Sequence, residues 1–136
     1  MKKITLLSLV AMALLSSCQK SEDEKAAPLM NKIDSLYNAG NYQATLNAIT
    51  QLRADHPKAI ESRKKALKTW QDASLKMAQA DIARTDSALQ ATTAQLAAEK
   101  DLYKKNMLGV KRDSLQVRYD ALCGTVRVIH KKQTGE

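Results

Sequence analysis

Hydrophobic residues recur at helical spacing along most of the chain. The first two runs predict helices over residues 26–38 and 42–55, with Pro28 in the first turn of one helix and Pro57 after the end of the other. Their apolar faces consist of Leu29, Ile33, Leu36 and Tyr37, then of Leu46, Ile49 and Leu52. Because Ala39-Gly40-Asn41 separates the two runs, the pattern predicts a helical hairpin with a short turn that contains glycine.

A long helix is predicted over residues 59–105, which contain neither Gly nor Pro. One apolar residue recurs there at every seventh or eighth position: Ile60, Leu67, Leu75, Ile82, Leu89, Leu96 and Tyr103. This spacing is close to two helical turns, so these residues form one narrow stripe along the helix. Thr85-Asp86-Ser87 could cap a new helix, which leaves open whether the long helix is divided there.

A second apolar stripe predicts a C-terminal helix over residues 110–132. Its members recur in steps of seven: Leu108, Leu115, Leu122 and Ile129. Asn106 and Gly109 lie between the two stripes and predict a reversal of the chain. The β-branched segment 125–129 leaves a short strand as the alternative.

These elements together predict an all-α fold. The N-terminal helical hairpin packs on the first half of one long helix, and the C-terminal helix folds back antiparallel on the second half of that helix. In this arrangement Leu115 and Leu122 are expected to be buried against residues such as Leu96 and Leu89.

The hairpin resembles a single tetratricopeptide-type unit in residues 36–42, in Leu46 and in Pro57. It departs from that pattern at Ile33 and Leu52, where the family has small residues, and no second copy follows. Because such units usually need neighbours for stability, the resemblance implies that the long helix covers the apolar face of the hairpin. A peptide-binding superhelix of several units is not expected.

The N-terminus has the order of parts that a secretory signal requires. Lys2 and Lys3 precede an apolar run over residues 4–15, which is shorter than the roughly 20 residues that a membrane-spanning helix needs. Leu15-Ser16-Ser17-Cys18 then resembles the lipobox of bacterial lipoproteins. The resemblance implies that the chain is cleaved before Cys18 and that the cysteine carries lipid, with palmitate among its acyl chains, as a membrane anchor.

The chain therefore divides into a lipoprotein signal peptide over residues 1–17, a lipidated flexible tether over 18–27 and one helical domain over 28–136. The tether contains Lys20, Glu22, Asp23 and Glu24, which resemble the export signal of surface lipoproteins in the Bacteroidota. The resemblance implies an outer-membrane lipoprotein on the cell surface. A solvated acidic spacer on a lipoprotein that faces the periplasm is the alternative.

The chain is basic, with a net charge of +8 that falls to +6 when residues 1–17, with two lysines, are removed. The basic residues form three clusters: Arg63, Lys64, Lys65 and Lys68; Lys104, Lys105, Lys111 and Arg112; Arg127, Lys131 and Lys132. The predicted fold distributes these clusters along the rod. They make an anionic envelope polymer (lipopolysaccharide, glycan or extracellular DNA) a candidate ligand. Nucleic acid is not favoured, because the chain has no Phe, one Trp and four Tyr for base stacking.

The sequence contains no catalytic or metal-binding constellation that we recognise. His56 and His130 are far apart, and Cys123 remains single once Cys18 carries lipid, so it is either a buried small residue or a partner in an intermolecular disulfide. We expect no enzyme activity, no cofactor and no bound metal. The sequence favours a membrane-anchored interaction or scaffold lipoprotein with a protein partner in the cell envelope, and it leaves the oligomeric state open.

Overall fold

The structure is a computed structural model that describes residues 20–135, and this part of the chain forms four helices. They are α1 (Glu22–Asn38), α2 (Tyr42–Asp55), α3 (Ile60–Ala98) and α4 (Leu102–Thr134). The predicted all-α fold is confirmed: α1 and α2 form the hairpin, α3 is the long helix and α4 returns antiparallel along it. The predicted signal peptide and Cys18 lie outside the described residues.

Helix α1 begins six residues before Pro28, so the predicted tether over residues 18–27 is wrong from residue 22 onward. Ser21 and Glu24 form a capping box: the Ser21 hydroxyl accepts from the Glu24 N–H, and the Glu24 carboxylate accepts from the Ser21 N–H. Ala26 is completely buried, which ties this first stretch to the core. These contacts offset the cost of placing Pro28 inside a helix, about 3 kcal/mol.

The turn between α1 and α2 is built around Gly40, as the sequence predicts. Gly40 has a φ of 72°, a left-handed conformation that glycine adopts at little cost. Its N–H donates to the Tyr37 carbonyl and the Asn41 N–H donates to the Leu36 carbonyl, which is the Schellman pattern. Helix α2 then has the predicted bounds, and Pro57 follows it.

The hairpin buries its apolar face against the first half of α3, as predicted. Ile33 of α1 and Ile49 and Leu52 of α2 are fully buried. Ala66 of α3 and Ala59, the residue before α3, belong to the same cluster, and Trp70 of α3 packs at its edge. Small side chains on α3 let the other two helices lie close to it, because an alanine adds little bulk between the backbones. This three-helix unit is the compact core of the described chain.

Helix α3 is continuous through Thr85-Asp86-Ser87, and its buried positions are small residues rather than the predicted apolar stripe. Ala78, Thr85 and Thr92 are buried toward α4 at steps of seven. The predicted stripe residues Leu75, Ile82, Leu89 and Leu96 are half-buried beside them, whereas Ile60, Leu67 and Tyr103 are exposed, contrary to the prediction. Steps of seven on both helices are the spacing of a left-handed two-helix seam.

The chain reverses at Glu99, Lys100 and Asp101, seven residues earlier than the predicted reversal at Asn106–Gly109. Carboxylates make this turn. The Glu99 side chain accepts from the N–H groups of Lys100 and Asp101 at 2.9 Å, and the Asp101 side chain accepts from the Lys104 N–H at 2.9 Å, which caps α4. Gly109 instead lies inside α4 with open space around it.

The early turn lengthens α4, which is helical through residues 125–129 and excludes the alternative strand there. The Gln133 side chain donates to Asp72 at 2.9 Å, so the end of α4 lies beside the first half of α3. Because the helices are antiparallel, each step back along α4 from Gln133 corresponds to one step forward along α3 from Asp72. This count places Leu122 near Ile82 and Leu115 near Leu89, one heptad away from the predicted pairs. Leu115 and Leu122 are half-buried rather than buried, because a single helix covers them.

Candidate interaction surfaces

The residues of the candidate export signal lie at the start of α1, and three of them make structural contacts. Glu22 pairs with Lys25 at 2.8 Å, a hydrogen bond that lowers the pKa of Glu22. Glu24 belongs to the capping box. Lys20 is exposed ahead of the helix. The structure leaves the export role of these four residues a prediction, and it shows that the acidic ones also hold the helix start.

Asp23 links the starts of two helices. Its carboxylate accepts from the backbone N–H of Ser62 at 2.7 Å, and this hydrogen bond lowers the pKa of Asp23. Ser62 lies in the first turn of α3, where Ala59 stands at the cap position without a side-chain acceptor. Asp23 therefore supplies the cap of α3 from 39 residues away in sequence.

Replacing Asp23 by Ala should lower the melting temperature at neutral pH, because the Ser62 N–H loses its acceptor. Asp23→Asn should retain most of the stability, since an amide oxygen can also accept. The folded pKa of Asp23 lies below its ordinary value of 3.8, so the ionised carboxylate stabilises the fold above that pH and loses this effect as the pH falls through the folded pKa. The melting temperatures of the wild type and Asp23→Asn should therefore converge once the pH lies below the folded pKa of Asp23. A difference that persists there unchanged would contradict the assignment.

The first basic cluster is partly neutralised by its neighbours. Arg63 donates to the Pro57 carbonyl, Lys64 pairs with Glu61 at 2.9 Å, and Lys65 pairs with Asp34 at 2.6 Å. These pairs are largely exposed and contribute little to stability, about 0–1 kcal/mol each. In the second cluster Arg112 pairs with Asp113, while Lys104, Lys105 and Lys111 are exposed.

The prediction that the three basic clusters are distributed along the rod is wrong for the first and third clusters, because α4 extends further along α3 than predicted. Lys132 of the third cluster and Lys64 and Lys68 of the first cluster line one open groove of about 570 Å³, together with Asp72. Arg127 and Lys131 are exposed on the same end of α4. Two of the three clusters thus meet at the end of the molecule where α1 and α3 begin. The second cluster lies at the opposite end, near the Glu99–Asp101 turn.

A row of exposed apolar residues follows the side of α4 opposite to the one that packs on α3. We call this surface the outer α4 face and define it by four residues, each more than half exposed: Tyr103, Met107, Val110 and Val117. At the start of this face, Tyr103 and Met107 also border a groove that is lined by Gln95 and Ala98 of α3. Val117 lies about 160° around the helix axis from Leu115, which packs toward α3. Helix α4 thus has two apolar faces, of which α3 covers one.

The outer α4 face is not among the predicted surfaces, although its spacing is visible in the sequence. Tyr103, Val110 and Val117 are seven residues apart, as are three further positions at 107, 114 and 121. The predicted helices place Tyr103 in the stripe of the long helix and Val110 at the start of the next helix. Once the turn moves to Glu99–Asp101, both belong to one helix and one face.

The remaining candidate groups do not converge. No cluster of His, Cys, Asp or Glu within residues 20–135 could hold a metal ion, and no helix in that range is both long and apolar enough to span a membrane. Cys123 is half-buried on α4 beside Tyr119, whose pKa it raises. His56 ends α2, and His130 is exposed on α4.

Arg53 and Trp70 form a cation–π contact of 4.7 Å where α2 passes α3.

Comparisons of the chain with protein-family models, with curated proteins and with solved structures found no match.

Proposed function

We propose that this protein is a non-catalytic interaction or scaffold module of the cell envelope, held on a membrane by lipid on Cys18. The outer α4 face carries this proposal. Its exposed apolar side chains line up along one helix face instead of lying scattered, and exposed apolar patches mark interaction sites. Burying apolar surface stabilises a complex by roughly 25 cal/mol per Å², so a partner that covers this face gains stability from it.

The placement of the chain ends supports this proposal. Residue 20 lies at the end where α1 and α3 begin, and α3 extends about 58 Å from there to the Glu99–Asp101 turn. Lipid on Cys18 would therefore hold the three-helix unit near the membrane and project the start of α4 away from it. Tyr103, Met107 and Val110 would then face the surrounding space, where a protein partner can reach them.

We place the protein on the outer membrane, facing the cell surface. The proposal rests on the lipobox resemblance and on Lys20, Glu22, Asp23 and Glu24, as in the sequence analysis. The resemblance of the α1–α2 hairpin to a tetratricopeptide-type unit favours the same class of function, since such units serve as interaction modules.

A photo-crosslinking residue at Val117 tests the interaction proposal in intact cells. Val117 is exposed on the outer α4 face, and the adjacent Gln116 is exposed on a different face and is the matched control. The Val117 probe should give a discrete crosslinked protein, and the Gln116 probe should not. If neither probe captures any protein, or both capture the same mixture, the outer α4 face is not an interaction surface.

The second candidate function is binding of an anionic envelope polymer, and the groove shared by Lys64, Lys68 and Lys132 favours it. Contacts of this kind are screened by salt, since the Debye length is about 8 Å at physiological ionic strength and about 3 Å at 1 M. Partners held by the outer α4 face should survive a high-salt wash, because that face is apolar. Polymer bound at the groove should be released by the same wash. If the variant Lys64→Gln/Lys68→Gln/Lys132→Gln still binds the polymer, the groove is not the polymer-binding site.

A further inference from the structure

We propose that the outer α4 face binds the same face of a second copy of this chain, in a parallel two-stranded seam over residues 103–121. The inference rests on the proposed function and names the partner of the surface described there. The second copy is identified by three features of α4: the spacing of its apolar residues, the charges beside them and the end of the molecule at which the chain is anchored.

The spacing of the outer α4 face is that of a two-stranded seam. Apolar or small residues alternate in steps of four and three: Tyr103, Met107, Val110, Ser114, Val117 and Ala121. This alternation keeps one narrow row facing a partner helix of the same kind. The row spans 18 residue steps, about 27 Å along the helix. The side of α4 that packs on α3 has the same periodicity, so α4 is suited to a helix on each side.

The charges beside this row select a parallel second copy. One flank carries Lys104, Lys111 and Arg118, and the other carries Asp113 and Asp120. In an antiparallel pair like flanks face each other, so the basic flank of one copy would meet the basic flank of the second. In a parallel pair each basic flank meets the acidic flank of the other copy.

In the usual register of a parallel seam, a residue contacts the residue five positions further along in the second copy, and this joins Asp113 to Arg118. The same register places Asp120 opposite Thr125 and Lys111 opposite Asn106. Within one chain Asp113 already accepts from Arg112 at 2.6 Å and 2.9 Å. Its carboxylate has acceptor capacity for a second arginine.

The chain ends agree with the parallel orientation. Lipid on Cys18 would place both copies on one membrane with residue 20 at the same end. A parallel pair has both residue 20 ends on one side, whereas an antiparallel pair would hold the two anchors at opposite ends of the seam. Confinement to a membrane also raises the effective concentration of each copy for the other.

The seam ends near Ala121. At the next positions of the row stand Gly124, which adds no side chain, and Lys131, which adds a like charge. Val128 lies beside Arg53 of α2 in a groove that the three-helix unit borders. The two copies should therefore separate at the end that carries α1 and α2, which gives these helices room.

Single cysteines in the full-length, membrane-anchored protein test the seam, with Cys123 replaced by Ser in every variant. A parallel seam places Val110 beside Val110 and Val117 beside Val117 of the second copy, within reach of a disulfide. Val110→Cys and Val117→Cys should each yield disulfide-linked dimers on mild oxidation. Gln116→Cys, adjacent in sequence but on another face, should not.

Each other outcome contradicts the inference in a different way. Equal dimer yields from all three variants would reveal random encounters in the membrane. Linkage only between differently tagged Val110→Cys and Val117→Cys chains would show an antiparallel seam. Capture of a different protein by the outer α4 face would refute the second copy and leave the proposed function standing, whereas capture of no protein at all would refute both.

A charge placed in the seam gives an independent measurement. Val110→Lys/Val117→Lys should fold normally, with an unchanged circular dichroism spectrum, because both side chains are exposed in one chain. The variant should lose the dimer that the lipidated protein shows by sedimentation in detergent. Sedimentation of the wild type as a monomer at every concentration tested, or a dimer retained by the variant, would overturn the proposal.

Discussion

Replacing Leu52 by Ala should lower the free energy of unfolding by about 3 kcal/mol, within the range of about 2–5 kcal/mol for fully buried leucines. Leu52 is completely buried where α2 meets α1 and α3, so the substitution removes apolar contact and leaves a cavity. A domain of this size is stable by only about 5–15 kcal/mol, so the loss is a large fraction of the total. Urea denaturation of a soluble form that lacks residues 1–18 measures it.

Leu122 provides the comparison, because it is half-buried under a single helix. Leu122→Ala should cost about 1–2 kcal/mol, less than a buried leucine does. Gln116→Ala, on the exposed side of the same helix, should change stability by less than about 0.5 kcal/mol. If Leu122→Ala costs as much as Leu52→Ala, the α3–α4 seam is a core in its own right and the three-helix unit is not the main source of stability.

The sequence predicted the hairpin well because its signals are local. Gly40 is needed at a left-handed position, and Pro57 cannot continue α2, so both ends of α2 follow from single residues. The apolar face of α2 then buries Ile49 and Leu52 as its spacing requires. Fold class and helix order follow from such features without knowledge of any contact between distant residues.

The start of α1 was predicted too late, although Ser21 and Glu24 have the spacing of a capping box, which is a local signal for a helix start. Pro28 suggests a first turn, and the acidic residues before it suggest a solvated tether. Asp23 reaches Ser62 only when the three-helix unit is assembled, and Ala26 is buried only by that assembly. The sequence of residues 20–27 alone therefore reveals the capping box but neither of these two long-range contacts.

The predicted position of the reversal before α4 is wrong because the prediction relied on Gly109 and did not consider the capping side chains of Glu99 and Asp101. Gly109 is tolerated inside a helix at a cost of about 1 kcal/mol, so a single glycine need not end one. Glu99 and Asp101 supply acceptors for three backbone N–H groups at the turn. The same seven-residue error hid the outer α4 face, since it assigned Tyr103 and Val110 to different helices. Periodicity is unchanged by a shift of one heptad and therefore could not reveal the mistake.

Replacing Cys18 by Ala should remove the protein from the membrane fraction, because the lipobox resemblance of Leu15-Ser16-Ser17-Cys18 implies that lipid on Cys18 holds the protein there. One acyl chain gives marginal membrane binding and two or more hold a protein firmly, since each buried methylene contributes about 0.8 kcal/mol. Fractionation followed by gel mobility measures both anchoring and cleavage. The variant should appear as an uncleaved or released species with altered mobility.

Cys123→Ala is the matched control, because it removes the other cysteine and leaves the lipobox intact. This variant should stay in the membrane fraction with the mobility of the wild type. Protease added to intact cells then separates the two orientations: a surface lipoprotein loses its helical domain, and a lipoprotein that faces the periplasm keeps it. If Cys18→Ala partitions wholly with membranes at wild-type mobility, lipid on Cys18 does not hold the protein there. A shared anchor would then no longer orient two copies, and only the charges beside the outer α4 face would favour their parallel arrangement.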